Sequence, residues 1–207
     1  AHLYSGVRFL FESNRAMPLE GDSNFKGLKK TYAKGIELRG KTIGIIGFGR
    51  IGRETAKIAL GVGMNVLVYD RHMEKVDLTL DFSGNKSLDF EIKISKLNDV
   101  LKNSDFISLH VPAQKKFVID KKEIDMMKDG AGLINAARGG VVNEVELISA
   151  LNSGKLSFAG LDTFENEPKP AVQLLMHPKI SLTPHIGAAT NEAQDRIGLE
   201  LANQIEK

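Results

Sequence analysis

Gly47-Phe48-Gly49-Arg50-Ile51-Gly52 follows the spacing G-x-G-x-x-G, and Asp70 stands eighteen residues after its last glycine. Each position answers a need of phosphate binding. Gly47 would permit a tight turn, Gly49 would let a pyrophosphate reach the backbone, and Gly52 would let a following helix pack closely on the preceding strand. Arg50 and Ile51 would open that helix and offer their free N–H groups and positive dipole end to the phosphates. A carboxylate at position 70 could accept hydrogen bonds from a ribose diol and would repel a 2′-phosphate, which favours NAD over NADP. Arg71 beside it points the other way. The same glycines could also form a turn with no nucleotide. A methyltransferase loop for an adenosyl cofactor is a third reading, but the acidic residue such loops usually carry near the end of the first strand is missing.

A nicotinamide cofactor implies hydride transfer. A carbonyl that receives hydride needs a proton donor at its oxygen, and an acid substrate needs a cation for its carboxylate. Histidine suits the first task because it titrates near neutrality. Arginine suits the second because its donor fork matches a carboxylate. His185, in Thr183-Pro184-His185-Ile186-Gly187-Ala188, and Arg138, in Ile134-Asn135-Ala136-Ala137-Arg138-Gly139-Gly140, are the candidates. Phe164-Glu165-Asn166-Glu167-Pro168 offers two carboxylates that could hold an imidazole in one tautomer and favour its charged form. Spacing does not choose between Glu165 and Glu167. Of the other histidines, His2 and His72 read as terminus and loop, His110 as a core or supporting group inside a strand, and His177 as part of a connector.

The elements that must place these residues alternate. Thr42–Ile46 is a short apolar run of the kind found in strands buried on both faces. A helix over Glu54–Leu60 and a second apolar strand, Asn65–Tyr69, complete a βαβ unit. Strands are expected at 91–94, 105–111, 131–136, 158–161 and 180–183. Helices are expected through Leu97 and Leu101 and at 121–128, 143–151 and 192–205. Leu3, Val7, Leu10 and Phe11 predict an amphipathic helix over 2–14. Residues 15–35, with Pro18, Gly21, Gly27 and Gly35, read as an extended connector, and 71–90 as a long loop. The sum is an α/β fold built on a doubly wound parallel sheet. Ligands of such sheets sit beyond the carboxyl ends of the strands, where Gly47, Asp70, Val111, Arg138, Asp162 and His185 all fall.

Composition narrows the classes of partner. The chain has 207 residues, 28 Lys and Arg against 26 Asp and Glu, and 42% apolar residues. A balance of +2 with no basic block gives no reason to expect nucleic acid or an anionic membrane as partner. The chain holds no cysteine, which removes disulfides, thiol nucleophiles and cysteine metal sites and fits a cytoplasmic setting. No metal is expected. No apolar run approaches the roughly 18 residues of a membrane helix, and no signal peptide opens the sequence. The sequence begins Ala1-His2-Leu3 without Met, so it is expected to be part of a longer protein.

Taken in order, Gly35–Thr42, the glycine loop with Asp70, Ile134–Gly140, Phe164–Pro168 and Thr183–Ala188 resemble the D-isomer-specific 2-hydroxyacid dehydrogenases over nearly the whole chain. Ala188–Gln194 is most similar to the phosphoglycerate-oxidising branch. The resemblance implies a Rossmann-type NAD-binding domain, with most of the family's substrate domain missing. It divides the chain into an N-terminal helix and connector over 1–35 that makes a dimer contact, the NAD-binding domain over 36–190, and a C-terminal helix over 191–207 returning towards the missing domain. Arg138 would bind the substrate's carboxylate and carbonyl, Glu167 rather than Glu165 would pair with His185, and His185 would exchange the proton. The cofactor contacts would fall on Gly47, Gly49, Arg50, Ile51, Gly52, Asp70, Val111, Pro112, Ala136, Ala137, Arg138, Asp162, His185, Gly187 and Ala188, with Asp162 at the nicotinamide carboxamide. The implied partner is a small 2-hydroxy or 2-keto acid, 3-phosphoglycerate first and glycerate or hydroxypyruvate second, in a homodimer. An NAD-sensing corepressor-type scaffold of the same superfamily is the reading from another class. After Pro112 the sequence Ala113-Gln114-Lys115-Lys116 departs from the family's turn.

Overall fold

In the computed structural model, which describes residues 1–205, six strands form one parallel sheet in the order β2-β1-β5-β6-β7-β8. They are β1 (Thr42–Ile46), β2 (Asn65–Tyr69), β5 (Phe106–Leu109), β6 (Ala131–Asn135), β7 (Leu156–Leu161) and β8 (Ile180–Leu182). The path through the sheet starts at β1, steps outward to β2 through α4 (Arg50–Gly61), then returns to the other side of β1 and proceeds through β5 to β8. The strand order reverses between β1 and β5, which is where a doubly wound sheet opens a crevice.

That reversal also settles the layers. Parallel crossovers are right-handed, so travel in opposite directions puts helices on opposite faces. One core packs α5 (Leu97–Asn103), α6 (Lys121–Met126), α7 (Glu144–Ser153) and α8 (Val172–Leu175) on the sheet through Leu101, Ile124, Leu147, Leu151 and Leu174. The other holds α4 through Ala56 and Ala59, with Ile43, Ile45 and Phe48. Among the described residues no crossover helix covers that second face over β6–β8. Residues ahead of β1 do so instead, as α1 (His2–Arg8) packs there through Val7 against Phe158.

Three segments differ from the sequence expectation. The predicted 2–14 helix breaks at Phe9, whose backbone is left-handed at φ 53. The predicted connector is helical, as α2 (Leu10–Glu20) and α3 (Phe25–Tyr32). Phe25, Leu28 and Tyr32 share one face of α3, Leu28 is buried, and Lys29 and Lys30 complement the negative end of the helix dipole. The 71–90 stretch is no loop but most of an antiparallel hairpin, β3 (Lys75–Phe82) and β4 (Lys86–Lys93). Its three-residue turn places Gly84 and Asn85 at positive φ. Leu78, Leu80 and Ile92 point from it into the α4 core, while the opposite face is polar. Ile94 bridges to Val68, tying the hairpin to the edge of the main sheet.

The last helix, α9 (Asn191–Ile205), buries no residue and touches the glycine-loop helix through an Arg50–Glu200 ion pair of 3.1 Å. Residues 206 and 207 of the predicted C-terminal helix lie outside the described residues.

Candidate active site

The carboxyl edge of the sheet gathers the predicted residues into two neighbourhoods. In the first, β1 ends at Ile46 and Gly47 turns the chain at φ 93, its amide donating to the Tyr69 carbonyl at 2.8 Å. A side chain at Gly47 would place its Cβ 2.5 Å from the His110 carbonyl oxygen, and one at Gly52 would place it 2.2 Å from the Gly47 carbonyl oxygen. Gly49 is different, because a Cβ there would meet nothing within 4 Å. The chain is therefore crowded beneath the first and third glycines and open above the second. Gly49 is also the N-cap of α4, which has no side-chain cap and no acid in its first turn. The first-turn amides, those of exposed Arg50 and Ile51 among them, thus keep their donors and dipole for an anion.

Asp70 ends the next strand and accepts from the Phe48 amide at 2.8 Å and the His72 amide at 2.9 Å. Its side chain thus braces the glycine loop, and each oxygen retains acceptor capacity for a diol. Across the crevice, Val111 is half-buried and Pro112 exposed where β5 runs out. Arg71 spans towards that edge, donating to the Gln114 side chain at 3.4 Å. Open space above Gly49 at an uncapped helix N-terminus, with a carboxylate at the neighbouring strand end, fits a dinucleotide.

The second neighbourhood lies past β6, β7 and β8. His185 Nδ1 lies 2.8 Å from Glu167 Oε2, and Glu167 Oε1 accepts from the Phe164 amide at 2.9 Å. Both contacts hold the Glu167 carboxyl below its ordinary range, the His185 hydrogen bond most strongly. With Nδ1–H donated to Glu167, Nε2 is the atom left to give or take a proton, and no described residue hydrogen-bonds to it. Glu165 turns the other way. It accepts from the Glu144 amide and Glu144 accepts from the Glu165 amide, both at 2.8 Å, clamping this loop to the start of α7. Burial raises the Glu144 carboxyl, and the charges of Glu165 and Glu167 add to that.

Asp162 is buried at the end of β7. It accepts from the Thr183 hydroxyl at 2.5 Å, the Ile186 amide at 2.9 Å and the Gly187 amide at 2.8 Å. Burial opposes its charge, but these donors outweigh it and the carboxyl stays below its ordinary value. Asp162 thereby ties down the turn that carries His185, itself at φ 56, and exposed Gly187 and Ala188.

Arg138 follows β6 in a loop shaped by Asn135, whose side chain accepts from the Ala137 amide and donates to the Arg138 carbonyl. Ala136 is exposed and Ala137 buried in that loop. A Cβ on Gly139 would fall 1.8 Å from the Phe164 carbonyl oxygen, so this loop lies directly on the one that carries Glu167. The guanidinium is exposed, donates to the Ala137 carbonyl at 2.6 Å and makes no ion pair among the described residues. No hydrogen bond joins it to His185 or Glu167; what the structure brings into direct contact is two pairs, His185 with Glu167 and Thr183 with Asp162. A cavity of about 460 Å³ opens beside them, lined by Phe164, Pro168, Leu182 and His185. His110 stays a supporting group, as expected. It bonds Ser108 at 2.9 Å, and burial pushes its imidazole down to about 4, so it is neutral at pH 7.

Sequence reasoning missed Thr183, Asn135 and Glu144 as site-shaping residues. Thr183 lay inside a quoted motif, and Asn135 ended a strand two residues before an amide it could cap. Glu144 gave no signal beyond acidity at a helix start.

Sheet order, glycine crevice and strand-end carboxylate together define a Rossmann-type dinucleotide-binding domain. More narrowly, residues 1–187 match the family described as D-isomer specific 2-hydroxyacid dehydrogenase, NAD binding domain, and the chain belongs to that family. Its cofactor is NAD. It is 43% identical over 184 residues to a hydroxypyruvate reductase of Thermotoga maritima, an alignment covering 86% of this chain and 56% of that protein. It is 42% identical over 176 residues to a D-3-phosphoglycerate dehydrogenase of Methanocaldococcus jannaschii, covering 84% and 32%. A crystal structure of a glyoxylate reductase from Paecilomyes thermophila superposes with a TM-score of 0.81 at 32% identity, covering 99% of this chain and 58% of that one. The chain thus spans about half the length of such relatives, or less.

Proposed function

We propose that the protein to which this domain belongs interconverts a D-2-hydroxy acid and its 2-keto acid with NAD, and that the substrate is 3-phosphoglycerate. The observation that carries the reading is the His185–Glu167 contact of 2.8 Å, with Nε2 free, at the edge of a domain built for NAD. NAD, when bound, supplies or accepts the hydride.

The remaining tasks fall to the chain. His185 Nε2 gives a proton to the carbonyl oxygen in reduction and takes it back in oxidation, while Glu167 fixes its tautomer. The exposed Arg138 fork holds the substrate's carboxylate and carbonyl. Gly47, Gly49, Arg50, Ile51 and Gly52 hold the pyrophosphate, Asp70 the ribose diol, and Val111 and Pro112 flank the adenine. Ala136, Ala137, Asp162, Gly187 and Ala188 surround the nicotinamide end. Phosphoglycerate is supported by the Methanocaldococcus jannaschii relative and by the Ala188–Gln194 run. Hydroxypyruvate or glycerate is the second reading, supported by the Thermotoga maritima relative.

The site works in a homodimer in the cytoplasm. Support for the dimer is the arm of α2, which buries none of its residues and leaves Leu10, Met17 and Leu19 exposed. The test is a panel of D-2-hydroxy and 2-keto acids on the intact protein, followed by the absorbance of reduced nicotinamide. Phosphohydroxypyruvate should give the highest kcat/KM. A higher value for hydroxypyruvate would select the second reading. No turnover with any acid, despite NAD binding, would leave the NAD-sensing scaffold.

A further inference from the structure

Helix α1 does more than cover the sheet. Its first residue, His2, lies over β7 where Gly160 leaves room, since a Cβ at Gly160 would sit 2.4 Å from the Cβ of His2. The half-buried imidazole spans β8 and the residue after it, with Nδ1 2.9 Å from Ser181 Oγ and Nε2 3.0 Å from Thr183 Oγ1. Thr183 in turn bonds Asp162 Oδ1 at 2.5 Å.

Proton inventory fixes the direction of this chain. An ionised carboxylate only accepts, and a hydroxyl has one hydrogen to give. The Thr183 hydrogen is therefore committed to Asp162, so the Thr183 oxygen must accept from His2 Nε2–H. That assigns the Nε2–H tautomer and turns the Nδ1 lone pair towards the Ser181 hydroxyl. Burial holds the ring in its neutral form. At the far end, Asp162 Oδ1 receives both the Thr183 hydroxyl and the Ile186 amide, and Oδ2 receives the Gly187 amide. One acceptor site remains, on Oδ2.

We propose that His2 is a positioning residue for the nicotinamide end of the site: through Thr183 it orients the Asp162 carboxylate and so the turn that carries His185. Without the His2 donor, the Thr183 hydroxyl loses the partner that fixes its oxygen, and the bond it gives to Asp162 is weakened. The turn depends on that carboxylate, because its two amide bonds, from Ile186 and Gly187, both end on Asp162. The catalytic consequence rests on the function proposed above; the structural link does not.

The experiment uses the intact protein with His2→Phe, His2→Gln, Thr183→Val and the His2→Phe/Thr183→Val double variant. Amide exchange of residues 185–188 is measured by mass spectrometry without cofactor, together with NAD affinity, kcat and KM. His2→Phe fills the space but has no donor. It should speed exchange in that segment about fivefold, the worth of about one hydrogen bond, and weaken NAD by a similar factor. His2→Gln carries a donor and an acceptor and should restore both. The double variant should be no worse than the worse single variant, because the two residues act in series.

Unchanged exchange in His2→Phe would overturn the proposal. So would additive losses in the double variant, or faster exchange across all of β7 and β8 that His2→Gln fails to correct. Should His2→Phe fail to fold, His2→Leu also removes the donor while leaving the Thr183–Asp162 bond in place, and is read in the same way. Selective loosening of 185–188 in a protein that turns over no 2-hydroxy acid would sink the proposed function and leave this inference standing.

Discussion

His110 borders the glycine loop, and its environment makes a quantitative forecast. Burial lowers its imidazole from 6.5 to about 4. Between those values the unfolded chain binds a proton that the folded chain does not, so stability rises with pH across that window and falls on acidification. That lowering corresponds to roughly 3 kcal/mol, and moving from pH 7 to pH 4.5 should remove roughly 2 kcal/mol of it. His110→Gln can keep the Ser108 hydrogen bond but has nothing to protonate. Urea unfolding of both proteins at the two pH values isolates the effect. Asp162 and Glu167, held below their ordinary values, also lose stabilisation as pH falls towards and through their folded-state values. That loss occurs in both proteins and cancels in the comparison. The wild type should lose roughly 2 kcal/mol more than His110→Gln. Equal losses would show that folded His110 titrates near 6.5, and the assignment of a neutral supporting role would fail.

The glycine loop supplies a paired test. Gly49→Ala adds a methyl that meets nothing within 4 Å, so Tm should stay within about 2 °C. NAD affinity should fall at least about tenfold, because the methyl enters the phosphate's space. Gly52→Ala drives its methyl against the Gly47 carbonyl and should cost about 1–3 kcal/mol in urea unfolding. Asp70→Ala should weaken NAD more than NADP in equilibrium titrations, and equal loss of both would argue against a ribose contact. Glu144→Ala strands the Glu165 amide and should cost about 1–3 kcal/mol, whereas Glu144→Gln keeps the acceptor and relieves repulsion, so thermal unfolding should separate the two.

How much of this was legible in the sequence follows from the range of the forces involved. The buried parallel strands announce themselves as apolar runs, and β1, β2, β6 and β8 fall close to where the runs lie. Of the β3–β4 hairpin only the end of β4 was expected, as the strand at 91–94, although Val76, Leu78, Leu80 and Phe82 alternate strictly, as do Leu88, Phe90 and Ile92, around Ser83-Gly84-Asn85. The alternation was there; what obscured it was the density of charges on the outward face. Helices α2 and α3 were obscured by Pro18, Gly21 and Gly27, residues that break isolated helices but are tolerated where neighbouring elements hold them. The glycine loop was legible because its spacing encodes a local turn. The partner of His185 was not, since Glu165 and Glu167 differ only in which way a loop directs them. His2 was beyond reach, because its partners on and just past β8 lie 179 and 181 residues away and only the packing of α1 on the sheet joins them.

The most direct measurement compares the wild-type intact protein with His185→Ala, reading kcat for reduction of the preferred 2-keto acid alongside NAD affinity by titration. A loss of at least about a hundredfold in kcat, far exceeding any loss of NAD affinity, is the predicted result. A variant that turns over within a few-fold of wild type would contradict the central claim that His185 moves the proton.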